Sequence, residues 1–369
     1  MGNRVSALTS RHEALGATMA DWNDMGVAWL YATDPDTEAD ATRTAAGLID
    51  LSGLRREHVK GPDAAAVVDY LLPRNMEVIY PGKSGYSTIL TEEGGVADDV
   101  IVYRLADDHF LIASGTGDSD TAMAKAIAGK DVTVEEDDNL HIIALQGPIA
   151  HELLNANSPD DIEGLKFFHQ METTIFGKPA IVSRTGFTGE RGYEIFATAD
   201  VVCDLWDAIL EAGASQGVKP LSFVGLNILR IESALLFHPF DVSENESAWE
   251  AGLGWSVGKE KGDYIGKAAN EARKGNETKI FSGIVCDADV ACGEPIAGGE
   301  KIFANGEEVG YVTAALYSTR LKKSVALCYL NPGVDVGASV EVQGAINCSA
   351  TVSTLPFYDP EKLRPRGLA

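Results

Sequence analysis

Cysteine, basic charge and long apolar runs are what this sequence has little of. It carries 5 cysteines, Cys203, Cys286, Cys292, Cys328 and Cys348, an odd number with no C-x-x-C pair. That pattern signals neither a disulfide framework nor a zinc knuckle, and the thiols read as buried and reduced in a cytoplasmic protein. No apolar run approaches the roughly 18 residues of a membrane span. Lys and Arg number 30 against 55 Asp and Glu, a formal net charge of -25. Such a surface repels phosphate backbones and anionic headgroups, which argues against nucleic acid and membrane as partners. It suits solubility in salty surroundings, where self-repulsion is screened. The 7 histidines are scattered, without H-E-x-x-H or comparable spacing, so no metal is indicated. A G-x-S-x-G nucleophile elbow is also missing.

What is present is an ordinary globular composition, 45% hydrophobic over 369 residues. That length implies two or three domains. Gly61-Pro62-Asp63 opens an apolar helix from Ala64 to Leu72. Strand-like runs follow at Gly85 to Leu90, Val96 to Leu105 and His109 to Ala113. Asp118 and Asp120 cap a helix through Ala128 that Gly129 ends. Further strands are expected at Val132 to Val134 and His141 to Leu145, a hairpin around Gly177-Lys178, and helices over Val201 to Ala212 and Leu221 to Leu236. Beyond about residue 275 short strands and Gly-rich turns dominate, which predicts a small antiparallel barrel or sandwich.

Three segments carry candidate chemistry. In Gly94-Gly95-Val96-Ala97-Asp98-Asp99 a tight turn precedes two acids that strand alternation sends to opposite faces, one to a pocket and one to solvent. Ser183 to Glu194 places three glycines in seven residues, so the backbone turns sharply or approaches something closely. Glu194 opens the strand after that loop and is placed to accept two N–H bonds from a heterocycle. The loop lacks G-x-G-x-x-G spacing, so it is no phosphate cradle. The apolar helix Phe223 to Phe237 carries Arg230 and Glu232, charges that read as paired or functional.

These motifs, with His12, Leu15-Gly16-Ala17, Arg43, Ala46 to Ser52, Gln146-Gly147-Pro148, Leu229-Arg230-Ile231-Glu232 and Pro356-Phe357-Tyr358, resemble in order the aminomethyltransferase family. This is the family of the glycine cleavage T-protein, which includes folate-dependent demethylases. The resemblance implies an α+β, three-domain fold around a central channel holding tetrahydrofolate, with a small C-terminal antiparallel β-barrel. The chain then divides into a folate-binding region of two interleaved subdomains, 1–275, and a barrel, 276–369. Carried over by position, Asp98 is the catalytic acid and Glu194 reads the pteridine ring. Tyr86, Val100, Tyr103, Phe187 and Arg230 line the cofactor site, and Tyr31, Ser114 and His238 the donor pocket.

The sequence departs from the T-protein pattern where the donor sits. Phe237-His238-Pro239-Phe240-Asp241 stands where Leu-Tyr-Gly-Asn-Asp is usual, Ser114 where Asn is usual, and Gly53 where His is usual. Two donors follow as expectations. One is an aminomethyl group on a lipoyl carrier protein, giving methylene-tetrahydrofolate. The other is a small N-, S- or O-methyl compound whose carbon moves to tetrahydrofolate; Trp29, His238 and Phe240 would build its pocket, since aromatic faces attract methylated cations. A non-catalytic iron–sulfur assembly role is disfavoured, because Asp263 and Lys267 replace that branch's Cys and Gln.

Overall fold

The computed structural model describes residues 4–286, 298–344 and 347–369. Cys292 lies outside them; Cys203 and Cys328 are free thiols, and Cys286, Cys328 and Cys348 are buried.

Two sheets face each other. The first has six strands in the order Gln170–Ile175, Lys178–Ser183, Gly192–Thr198, Leu140–Gln146, Gly47–Asp50 and Lys219–Pro220. Leu140–Gln146 is buried at every position, as a central strand covered on both faces must be, and its sequence is accordingly a near-continuous apolar run. The second has five strands, Lys83–Leu90, Val96–Ala106, His109–Ser114, Arg55–Lys60 and Thr133–Glu136.

Side-chain parity sorts the cores. One cluster lies between the sheets and includes Ile49, Tyr103, Leu111, Ala144 and Phe196. A second backs the six-stranded sheet, where helix Ala199–Gly213 buries Val202, Leu205, Trp206 and Ile209 at helical spacing against Ile143, Leu145 and Ile195. A third backs the five-stranded sheet, where Val67 and Val68 of helix Ala64–Leu71 and Met123 of helix Ser119–Ala126 pack on Val100, Val102 and Ile112. Asp118 caps the latter helix, its carboxylate accepting from the Thr121 N–H at 3.1 Å.

The C-terminal region is a closed six-stranded antiparallel barrel beginning at Ile280–Cys286. Closure leaves no free edge, which decides barrel over sandwich. Its strand Lys301–Ala304 escaped the sequence reading. So did the ribbon Thr18–Trp22 with Met25–Leu30. The expected helix over Leu221 to Leu236 is shorter, Phe223–Glu232. Ala234 turns left-handed (φ 52°), and the Phe237 N–H bonds the Asp241 carboxylate at 3.0 Å instead of a helix carbonyl.

Candidate active site

The strand Val96–Ala106 governs the site. It pairs with Lys83–Leu90 so that Asp99 opposes Thr88, Ile101 opposes Tyr86, and Tyr103 opposes Ser84. Directly opposed residues share a face. Tyr103 shows which face this is: its Oη donates to Glu194 Oε2, across the gap on the other sheet, at 2.7 Å. Asp99, Tyr86 and Tyr103 therefore look inward toward Glu194. Asp98 and Val100 have the opposite parity. Val100 is 2% exposed and packs in the outer core, away from the other residues grouped with it.

Glu194 also accepts from Thr185 Oγ1 at 2.5 Å, again on Oε2. Burial raises its proton affinity, and the two hydroxyls oppose that rise. Opposite it, Ser84 Oγ and Thr88 Oγ1 are buried and without a hydrogen-bond partner. Orphaned buried hydroxyls are costly and uncommon, so a polar ligand between the sheets has partners waiting. Tyr86 stacks on Trp255 at 5.6 Å. Asp99 is pushed up to about 7, first by burial, then by the charge of Asp98, against a hydrogen bond with Tyr86. A carboxyl titrating there is suited to proton transfer at neutral pH. The glycine-rich loop above Glu194 is a close approach: Gly189 has φ 77°, and a Cβ there would lie 2.1 Å from Ser233 Oγ.

Asp98 is fully buried. Ser119 Oγ donates to it at 2.6 Å and the Asp99 N–H at 2.9 Å. Neither acid of the pair thus meets open solvent: Asp98 is enclosed and Asp99 is half-buried on the inner face. Gly117 makes the enclosure possible, since a Cβ there would sit 2.1 Å from the Ala97 carbonyl. Ser114 Oγ and both ring nitrogens of His238 are buried without hydrogen-bond partners.

Arg230 is ion-paired with Asp241 and donates to Asn227 Oδ1 at 2.8 Å. Thr313 of the barrel donates to the same Asp241 at 2.5 Å. Arg230 therefore fixes the 233–241 turn to the barrel. Tyr31 lies elsewhere, in a buried network: its Oη is 2.9 Å from His12 Nδ1, and His12 Nε2 is 3.1 Å from Asp50 Oδ2. Phe187 leads into an aromatic wall. Its ring is 6.4 Å from Phe237, which contacts Trp22, Phe223 and Phe240, and Trp29 stacks on Phe223 at 5.0 Å.

Residues 8–261 match the GCVT N-terminal domain and residues 281–359 the glycine cleavage T-protein C-terminal barrel domain. The chain is 40% identical to the heme-dependent oxidative N-demethylase gamma subunit of Ectopseudomonas mendocina, over 97% of both chains. It is 32% identical to the aminomethyltransferase of Streptomyces coelicolor, over 97% of this chain and 98% of that one. Its fold matches the glycine cleavage system aminomethyltransferase T of Bartonella henselae with a TM-score of 0.87 at 26% identity, over 97% and 98% of the two chains. By motif, fold and site geometry together, this chain belongs to the glycine cleavage T-protein family of one-carbon transferases.

Proposed function

We propose that this chain moves a one-carbon unit to tetrahydrofolate bound between the two sheets, and that the unit comes from a small N-methylated amine. The carrying observation is the inner face: a fixed carboxylate, Glu194, opposite two buried hydroxyls with no partner, Ser84 and Thr88. These residues fit a flat heterocycle with N–H donors on one edge. Tetrahydrofolate brings the N5 and N10 nitrogens that capture the carbon. Glu194 accepts the ring N–H groups, with Tyr103 and Thr185 fixing its carboxylate. Asp99, on the same face, exchanges a proton at its carboxyl, and Asp98 supports it from behind. Most of the rate would come from holding donor and acceptor face to face in a site closed to water.

For the donor, the aromatic wall of Trp22, Trp29, Phe223, Phe237 and Phe240 supports an amine that is cationic and methylated. The greater identity to the N-demethylase subunit supports the same reading. A partner subunit that releases the carbon follows from that reading, as does a division into 1–275, holding the site, and 276–369, a barrel that braces it; the bond from Thr313 to Asp241 supports this bracing. The lipoyl-carrier donor remains the second reading, supported by the T-protein fold match.

The test is product identity. The purified chain is incubated with tetrahydrofolate and, in separate reactions, aminomethyl-loaded lipoyl carrier, dimethylglycine, sarcosine, sulfonium compounds and methoxyaromatics. The folate product is read by mass. Product from an N-methyl amine, with or without an added oxidase, upholds the first reading. Product from the loaded carrier alone establishes the second, and no product from any donor defeats both.

A further inference from the structure

Gln170, at the start of the strand Gln170–Ile175, belongs to no motif, yet the fold sets it on the inner face. Cross-strand register carries the Glu194 face along the six-stranded sheet: Glu194 opposes Ser183, and Ser183 opposes Gln170. Directly opposed residues share a face, so Gln170 looks into the same gap. It is 6% exposed. Its Nε2 donates to the Arg104 carbonyl at 2.8 Å and to the Lys83 carbonyl at 3.5 Å, both on the five-stranded sheet. Two carbonyls on that side fix the amide, since a flip would set oxygen against oxygen. Oε1 is therefore the end left over, and it is buried without a hydrogen-bond partner among the described residues. Next to Lys83, the Ser84 N–H donates to the Phe168 carbonyl at 2.9 Å, while the Ser84 hydroxyl has no partner. A polar row joins this corner to Glu194: Ser183 Oγ lies 3.0 Å from Thr185 Oγ1, which bonds Glu194 at 2.5 Å.

We propose that Gln170 makes the site selective for reduced folate: its fixed Oε1 accepts the N8–H that tetrahydrofolate carries and fully oxidised folate lacks. The inference rests on the folate reading above and deepens it. An amide oxygen held in this way can only accept, so it needs a donor on the ligand. In that reading Glu194 accepts the N–H groups of the pyrimidine half of the pterin, and N5 is engaged in capturing the carbon. N8–H is the ring donor that remains. Gln170 and Glu194 stand two strands apart, roughly 10 Å at the backbone, a gap that a fused bicycle with a hydrogen bond at each end fills. In folic acid N8 bears a lone pair and no hydrogen. It would meet Oε1 acceptor to acceptor, and two buried polar atoms would stay unbonded, which is the costly arrangement. Dihydrofolate keeps N8–H and is expected to bind at this corner as tetrahydrofolate does.

The experiment is anaerobic calorimetric titration with tetrahydrofolate, dihydrofolate and folic acid, with melting temperatures measured in parallel. It compares the wild-type chain, Gln170→Met and Glu194→Gln. The wild type is expected to bind the two reduced folates more tightly than folic acid. Gln170→Met is expected to lose about three- to tenfold in affinity for both reduced folates, the effect of one hydrogen bond, and to hold folic acid no more weakly than wild type does. Glu194→Gln is expected to weaken all three ligands alike, because the pyrimidine half is common to them. An equal loss for all three in Gln170→Met overturns the proposal, since Oε1 would then meet a group that every folate carries. Unchanged affinities beside a lowered melting temperature make the amide a staple between the sheets and overturn it too. Should Gln170→Met not fold, Gln170→Lys carries the comparison; it keeps a donor for the two carbonyls and offers no acceptor. A wild type that binds none of the three defeats the folate reading; one that binds folic acid as tightly as tetrahydrofolate defeats this inference alone.

Discussion

A carboxylate buried at 4% exposure, as Glu194 is, needs partners, and Tyr103 and Thr185 supply them on one oxygen only. The other oxygen is where a ligand's N–H groups gain most. Glu194→Gln is expected to weaken tetrahydrofolate binding by about 1.5–3 kcal/mol, readable by calorimetric titration, because a charged acceptor is lost. Asp99→Asn is expected to leave binding near normal and to reduce turnover by roughly 10²–10⁴, the range for a lost acid–base group. Stability should move the other way. Asp99 has a folded proton affinity raised to about 7 from 3.8, so the stability it contributes is present below pH 3.8 and is lost as pH rises through 7. The Asn variant should therefore melt higher than wild type at pH 8, with the gap closing in acid. The choice between the two acids shows what sequence can carry at this scale. The motif located the pair, and alternation separated their faces. It did not tell which face was inward, because that depends on where the second sheet lies. Pairing Asp99 with Tyr103 by parity was available in the sequence; knowing that Tyr103 meets Glu194 was not. The resemblance puts Tyr31 with the donor pocket; its Oη meets His12, on the helix that precedes the Thr18–Leu30 ribbon.

Elements were legible where a helix shows its period or a strand its composition. The helix Ala199–Gly213 showed its period, and the strands Val96–Ala106 and His109–Ser114 showed through their β-branched apolar runs, although both their faces are covered. The ribbon at Thr18–Leu30 was overlooked although it has a signal. Asn23 and Asp24 both take left-handed conformations, φ 53° and 62°, as a two-residue hairpin turn requires. The helix ending at Glu232 was overrun because its stop is made by long-range contacts. Asp241 draws in Arg230 and the Phe237 N–H, and nothing local to residue 233 announces it. Another pair of elements holds a pH response. On neighbouring strands, His58 Nδ1 lies 2.8 Å from His109 Nε2. Burial lowers the proton affinity of both, and each is disfavoured further by nearby positive charge. The unfolded chain then binds more protons below about pH 6.5, so stability falls as the solution is acidified. Asp99 acts the other way in this window, so the readout is a difference: by scanning calorimetry between pH 7 and 5, His109→Gln should gain stability relative to wild type as the pH falls. An equal slope in the variant would assign the acid sensitivity elsewhere.

At the scale of the molecule, charge and one buried cation dominate. A net charge of -25 strains the compact state through self-repulsion. Adding salt up to about 1 M, where the screening length is near 3 Å, is expected to raise the melting temperature. A flat response would mean that the acids are already locally balanced. Arg43, 2% exposed, binds Glu190 and Glu232 at 3.0 Å each and the Thr188 carbonyl at 2.7 Å. Tyr358 covers it, with the guanidinium 3.9 Å from the ring centre, and Arg364 bonds Glu190 from the far side at 2.8 Å. Ser318 of the barrel donates to Glu232 at 2.6 Å. Arg43→Ala leaves two carboxylates buried beside a missing charge and should cost about 3–5 kcal/mol in denaturant unfolding. That Arg43 and Tyr358 both stood in the family motifs was visible in sequence; that they touch was not, since they are joined only by the fold.

The same cluster sets an order on biosynthesis. Translation delivers Arg43 early, but Tyr358 and Arg364 come only after the barrel, and they bond Glu190 in the loop that leads to Glu194. Nascent chains fold from the N-terminus onward, so both sheets can form while this wall of the site is still unpinned. Ligand competence would then wait for the segment that follows the barrel, and a chain cut before Tyr358 would bear both sheets and a barrel while its glycine loop had lost its latch.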